Sequence, residues 1–460
     1  MMKKLIALLL AVIMVLSLVA CAAKEETPAP PTEEKPAETP AEETPAEEEK
    51  PAEETPAEGE HEDVTIEVWI AQVDWADAWD EMEARFEEQY PWIDVQHVGL
   101  GEDATFLQTR LNTNDLPAVV QCNNNDVMKT MVAQDLFVDL SDYPAAAYMP
   151  DSYKESYSFN GKLVGLCQGA AFSCMFYNMA ILEEAGWDTI PTNWDELIQC
   201  CKDVKEKTGV APLTTAAGKT TTSWMLFELI LANVCGEEVG QGNYEEAFRN
   251  GTFDFTAYPE VVERLDEIAP YFLEGTATAQ EEDVTAYMTD GLAAMCIAGN
   301  WNGGVICPGI AEAAGDESKV VASLPPFGDE GKDTWISVSP EDAFCITVDP
   351  NRTEAEQEAV DIFFNWVFEA ENFQLIQNAR GTVPVTTNMT DEYIVLPEAI
   401  VPVVADMGNA PFVLMGFNLW TAEFSDAANS KIQGVISGDN TAQDAVDTMW
   451  SVEQEYYKNK

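Results

Sequence analysis

Apolar and polar residues alternate through "VTIEVWIA" (residues 64–71), which predicts an opening β-strand. "DAWDEMEARFEEQY" then sets Trp79, Met82 and Phe86 at helical spacing, and Pro91 closes the run. "IDVQHV" predicts a second strand. "FLQTRLNTNDLPAVVQCNNND" predicts a helix, a turn at residues 115–117 and a short buried strand. "VMKTMVAQDLFVDLSDY" predicts another helix and its exit. Strand alternating with helix is the grammar of a mainly parallel α/β sheet.

The pattern resumes after "FNGKLVGLCQ". "PTNWDELIQCCKDVKEKTG" predicts a helix with Thr192 as N-cap and Asp195 three residues on. "TTTSWMLFELILANVCG" predicts an apolar helix stopped by Gly236. Further helices are predicted over residues 258–272 and 354–373, with a strand at 343–348 between them. The last helix, "TAQDAVDTMWSVEQEYYK", places Ala445, Val446 and Trp450 on one face. No internal repeat is present.

Composition narrows the picture. The chain has 460 residues, 46% of them hydrophobic, enough for two or three domains or one two-lobed unit. Its formal net charge of -59 sets it against nucleic acid as a partner. Two histidines, His61 and His97, leave little for histidine-based catalysis, and no HExxH, Walker A or GxSxG motif occurs. No cofactor and no metal are expected. Setting Cys21 aside leaves nine cysteines, with no CxxC pair. They read as buried thiols acting as small apolar residues, with one or two disulfides left open.

The N-terminus carries the most specific local signal. Residues 1–21, "MMKKLIALLLAVIMVLSLVAC", join two lysines to a short apolar run, which reads as an export signal. Its end, "LVAC", resembles a bacterial lipobox, in which the cysteine, here Cys21, takes the lipid. Residues 22–63 are a Pro/Glu/Ala/Thr repeat with sixteen acidic residues against three lysines. Proline and self-repulsion keep such a segment extended, so it reads as a disordered spacer.

From residue 64 onward the chain resembles the family 1, maltose-binding type of extracellular solute-binding lipoproteins. The landmarks fall in that family's order: "VTIEVWI", "FEEQYPWIDVQHV", "RLNTNDLPAVV", "FNGKLVGLCQGAAFSCMFYNMAILEEAGWDTIPTNWDEL", "YMTDGLAAMCIAGNW", "LPPFG", "ARGTVPVTT" and "ISGDNTAQDAV". The resemblance implies a type II, two-lobed α/β fold whose lobes join through several chain crossings, with ligand in the cleft. The lobes are expected at 64–168 plus 340–380 and at 169–339 plus 381–460. It also implies a monomer, tethered through Cys21 to the outer face of the cytoplasmic membrane, in a cell of Gram-positive type. It would hand its ligand to the transmembrane subunits of an ABC-type permease. No enzymatic activity is expected.

Sugars present flat C–H faces and rings of hydroxyls, so a sugar site needs aromatic platforms beside amides and carboxylates. Such sites gather at the carboxyl ends of strands. Gln72, Asp74 and Trp75 follow the first strand, with Trp75 either a platform or packing under the next helix. Asn123, Asn124 and Asn125 follow "LPAVV". Phe172 and Tyr177 lie in the segment that crosses between lobes. Lys219 and Thr221 open a helix in the second lobe. Trp301 stands in "AGNWNGG", matches the family's stacking tryptophan, and has Asn300 and Asn302 beside it to hold hydroxyls. Asp342 brackets a later crossing, where "SVSPEDA" departs from the family's glycine pair. Trp420 is the best aromatic of "MGFNLW".

Several ligand classes fit. A mono- or oligosaccharide comes first. A polyamine would use Asp74, Asp126 and Asp342, whereas a phosphate ester would want more arginines. A glycosidase needs two opposed carboxylates, which nothing in the sequence fixes.

Overall fold

The protein is described by a computed structural model covering residues 61–70, 76–99, 104–113, 115–124, 126–218, 220–380, 383–390 and 392–459. Gln72, Asp74, Trp75, Asn125, Lys219 and Cys21 lie outside these residues, as does the side chain of Thr221.

Two sheets carry the molecule. The strands are β1 (Val64–Ile70), β2 (Ile93–Gly99), β3 (Val119–Cys122), β4 (Leu166–Cys167), β5 (Gly169–Asn178), β6 (Ala211–Thr214), β7 (Ala293–Gly299), β8 (Val320–Ser323), β9 (Ile336–Pro340), β10 (Ala343–Ile346), β11 (Val383–Pro384) and β12 (Phe412–Leu414). The first sheet runs β2-β1-β3-β10-β4, with β1 parallel to both β2 and β3. The second runs β12-β9-β5-β7-β6, with β8 and β11 also paired to β5. Both are mixed: β6 is parallel to β7 and β12 to β9, while β5 is antiparallel to all its neighbours.

Helix α1 (Ala76–Gln89) buries Trp79, Met82 and Phe86, the spacing read from the sequence. Phe86 meets Phe363 and Trp366 edge-on at 5.0 and 5.2 Å, which packs the helix of residues 354–367 onto the first sheet. The long β5 buries both faces. Phe172, Cys174 and Phe176 enter one apolar cluster, whereas Met175 and Tyr177 enter another on the opposite face. That is the period of two expected of a strand covered by helices on both sides.

Three local expectations shift. The helix Trp194–Lys207 is capped by Asn193, whose Oδ1 accepts from the Glu196 N–H at 3.0 Å. Thr192 instead donates its own N–H and hydroxyl to the Glu196 carboxylate. The helix Met225–Val239 runs through Gly236 to Gly240, where φ is 71°. Gly236 is needed for space, since a Cβ there would come within 2.7 Å of the Trp335 ring. Residues 354–373 form two helices, Glu354–Val367 and Ala370–Arg380. At the break, Asn372 and Asn388 donate their side-chain amides to the Trp366 and Phe368 carbonyls.

The chain passes between the sheets at residues 168–169 and 340–343. A later pass differs from the expected boundary at 381. Val383 packs in the second lobe, but Val385 and Met389 join the first lobe's core, and Ile400 returns to the second. All nine cysteines among the described residues are buried free thiols. Burial pushes the Cys200 and Cys307 thiols up to about 12, which disfavours the reactive thiolate. Among the described residues, no helix is long and apolar enough to cross a membrane.

Candidate functional site

Strand direction fixes which loops share one edge. The carboxyl ends of β6, β7, β9 and β12 all lie beside the amino end of β5, where the chain crosses between lobes. In the first lobe the carboxyl ends of β1 and β3 lie beside the start of β10. Ligands of open α/β sheets bind along such an edge.

The clearest construction there follows β7. Gly299 leads into a 3-10 turn, Asn300–Asn302, and then into the helix Gly303–Ala314. Asn300 is fully buried. Its Oδ1 accepts from the Phe172 N–H at 2.8 Å and its Nδ2 donates to the Ala170 carbonyl at 3.0 Å. The side chain therefore continues the β5–β7 ladder past its last backbone pair, Ser173 with Gly299. It is spent on the fold, contrary to the expectation that it takes ligand hydroxyls. Asn302 is also buried, at 4% exposure. Trp301 between them is partly exposed, and its Nε1 donates to the Glu281 carboxylate at 2.8 Å. A Cβ on Gly299 would fall 2.1 Å from the Trp301 Cζ3, so the glycine is there to let the ring lie over the backbone.

Neighbouring loops are pinned in the same way. The Thr215 hydroxyl donates to the Ile297 carbonyl at 2.8 Å. The Gly218 N–H donates to the Ala279 carbonyl at 2.8 Å, and a Cβ on Gly218 would meet the Thr278 oxygen at 2.3 Å. Thr221 begins close by, in the short helix Thr220–Ser223.

At the crossing, Ala343 pairs with both Cys122 and Cys167. One step along the ladder, Asn123, Asp342 and Gln168 therefore fall side by side, and the Gln168 N–H donates to the Asp342 carbonyl at 3.0 Å. Asp342 and Glu341 are nearly buried, and Asn123 is partly exposed. Asn124 donates its Nδ2 to the Ser156 carbonyl at 2.9 Å. The Gln168 amide is fully buried and finds no partner among the described residues. Sequence reasoning passed over Gln168; its place just before the glycine that opens β5 was the available signal.

Three expected contacts sit elsewhere. Phe172 reaches the edge with its backbone only, since its ring is fully buried in an apolar cluster. Tyr177 is five residues further along β5, about 17 Å from the edge at strand rise, with its hydroxyl 2.9 Å from Ser323 Oγ. Trp420 is core: it is 5% exposed, edge-on to Trp224 at 5.0 Å and to Phe424 at 4.9 Å.

A second buried polar residue carries no signal in the sequence. Glu228, in the apolar first half of the helix Met225–Val239, is fully buried and accepts from the Ser337 hydroxyl on β9. Burial pushes its carboxyl up to about 8, against the opposing hydrogen bonds from Ser337 and the Gly416 backbone. Among the described residues, one group has metal-like spacing: Asp80, Glu83 and His97. It lies on α1 and β2, and Glu83 Oε1 is 2.7 Å from the His97 Nδ1 while accepting the His97 backbone N–H. The carboxylate is thus committed to the imidazole.

The sequence profile described as bacterial extracellular solute-binding protein matches residues 81–400. A multiple sugar-binding protein of Streptococcus mutans is 26% identical over 164 residues, 35% of this chain and 38% of that protein, so the match spans well under half of the relative. Among solved structures, a chitin oligosaccharide binding protein superposes with a TM-score of 0.72 at 17% identity, covering 86% of this chain and 99% of that one. A sugar transporter from Bacillus licheniformis in complex with stachyose gives 0.68 at 17% identity, covering 86% and 100%. At such identities these superpositions establish the fold, which is type II and two-lobed. With the profile spanning more than half of its length, the chain belongs to the bacterial extracellular solute-binding proteins.

Proposed function

We propose that this protein captures a mono- or oligosaccharide in the cleft between its lobes and delivers it to an ABC-type import permease without altering it. Trp301 carries the reading: a partly exposed indole, fixed at the carboxyl end of a central strand beside the interlobe crossing. Such a ring stacks on the C–H face of a sugar, while Asn123, partly exposed at the crossing, offers an amide to hydroxyls. The sugars named with the similar proteins support the same ligand class. We further propose that Cys21 carries a lipid, that residues 22–63 space the lobes from the membrane of a Gram-positive cell, and that the receptor is a monomer.

Binding to the folded state alone raises the melting temperature. A panel of raffinose, stachyose, a chitin oligosaccharide, putrescine and spermidine is expected to give a shift with at least one glycan. A shift with the polyamines alone would replace this reading, since an indole beside a carboxylate also suits an ammonium group. Trp301→Ala is expected to weaken the active glycan by roughly 1–3 kcal/mol, as for a central aromatic contact.

A further inference from the structure

We infer that Glu281 is a positioning residue for ligand capture: its carboxylate orients the Trp301 indole through the bond to Nε1. The inference rests on the reading of Trp301 as a stacking platform and names the group that makes it one.

The indole is partly buried and packs one side against the apolar core of the second lobe. Its six-membered ring lies over Gly299, which restricts the tilt of the ring. Asn300 locks the preceding residue of the turn to Ala170 and Phe172, which fixes the backbone. These contacts and the apolar packing are not directional for the polar edge of the ring. The 2.8 Å bond from Nε1 to Glu281 is, and it ties that edge to a second element. A charge-assisted hydrogen bond of this kind is directional and stronger than a neutral one.

Glu281 is itself well placed to act as a fixed post. It is the first residue of the helix Glu281–Thr289, whose start is held by the Gln280 N–H donating to the Asp283 carboxylate at 2.9 Å. The segment just before it is tied to the loop after β6 by the Gly218–Ala279 bond. The post therefore moves with the wall of the site. Holding the ring before ligand arrives removes part of the ordering cost of binding.

The test compares Glu281→Ala, Glu281→Gln and Trp301→Ala against the glycan of the panel that raises the melting temperature. Glutamine keeps an oxygen acceptor, and alanine does not. Glu281→Ala is expected to weaken binding roughly 3- to 10-fold, the worth of one hydrogen bond, with Glu281→Gln retaining most of the affinity. In the ligand-free protein, the Trp301 indole N–H resonance, identified by its loss in Trp301→Phe, is expected to shift and exchange faster in Glu281→Ala and to stay in place in Glu281→Gln. If Trp301→Ala weakens binding while Glu281→Ala neither weakens it nor moves the resonance, the positioning role is overturned. Equal losses in the glutamine and alanine variants, with the resonance unmoved, would also overturn it, because Glu281 would then be meeting the ligand directly. If Trp301→Ala leaves binding intact, the platform reading itself fails, and an altered resonance in Glu281→Ala distinguishes that failure from the failure of the brace.

Discussion

Trp301 and Trp420 arise from the same local recipe and end in opposite environments. Each follows a strand of the second sheet, each lies over a glycine whose missing Cβ its ring occupies, and each turn has a glutamate beside it. At Trp301 the glycine is Gly299 and the glutamate is Glu281, which accepts from the indole of a partly exposed ring. At Trp420 the glycine is Gly416. Its glutamate, Glu228, is fully buried and bonds to the turn's backbone rather than to the indole. The Trp420 ring is enclosed by Trp224, Phe248 and Phe424, and its Nε1 has no partner among the described residues. The difference lies in the surroundings of each turn. After Trp301 the chain enters a helix at the interlobe edge, whereas Trp420 points back into a cluster supplied by two distant helices. A tryptophan after a glycine turn is therefore a platform only where no second layer covers it.

The largest expected effect breaks that symmetry directly. Trp420→Ala should destabilise the protein by about 3–5 kcal/mol, the usual loss for a large buried aromatic. Trp301→Ala should cost stability only about 1 kcal/mol while weakening ligand binding. Urea unfolding of the two variants measures the contrast. Comparable losses of stability would mean that Trp301 is a core residue as well.

The buried carboxyl beneath Trp420 gives the next effect. The Glu228 carboxyl lies near 8 in the folded protein against an ordinary value of 4.5. Between those values the folded state keeps a proton that the unfolded chain releases. Stability that is fully present below about pH 4.5 is therefore lost as pH rises toward 8, at up to about 1.4 kcal/mol per pH unit. Glu453, buried and pushed up to about 7 by burial and by Glu423, acts in the same direction over a narrower window. Glu228→Gln should flatten the stability profile between pH 7 and 8, where Glu453 contributes little. Chemical unfolding at pH 5, 6, 7 and 8 tests this, and an unchanged slope above pH 7 would assign the proton elsewhere.

The same contrast explains how much could be read from sequence. Period and order predict β1, β2, β3, β10, α1 and the last helix, because each buries residues that its own spacing declares. The closeness of Gly299 and Trp301 is local, since the two are separated by one residue at the start of the turn. What failed was set by partners far along the chain. Gly236 lies inside its helix with the Trp335 ring against it, and Tyr177 lies away from the edge on the stretch of β5 that pairs with β8. Trp420 is covered by Trp224 and Phe248, nearly two hundred residues earlier. Asn193 rather than Thr192 caps its helix, a one-residue choice that capping chemistry alone leaves degenerate. Gln168 and Glu228 went unnoticed for a related reason. One polar residue beside apolar neighbours reads as surface until the packing around it is known.

The two glycines give the finest version of the comparison. A Cβ on Gly416 would lie 2.6 Å from the Trp420 ring, which is clamped on every side and cannot yield. Gly416→Ala should therefore destabilise by about 1–3 kcal/mol, as overpacking in a closed core does. A Cβ on Gly299 would approach the Trp301 ring even more closely, at 2.1 Å, yet it meets the outer atoms of a partly exposed side chain. That ring has somewhere to go. Gly299→Ala should cost less than about 1 kcal/mol of stability, because the indole swings off the backbone and gives up its bond to Glu281. The cost should appear instead as weaker glycan binding and a displaced Trp301 indole resonance. Titration and unfolding of this one variant separate the two fates of the ring. A large loss of stability with binding intact would show that Trp301 is clamped as Trp420 is, and that the closer steric approach, not exposure, decides what the turn tolerates.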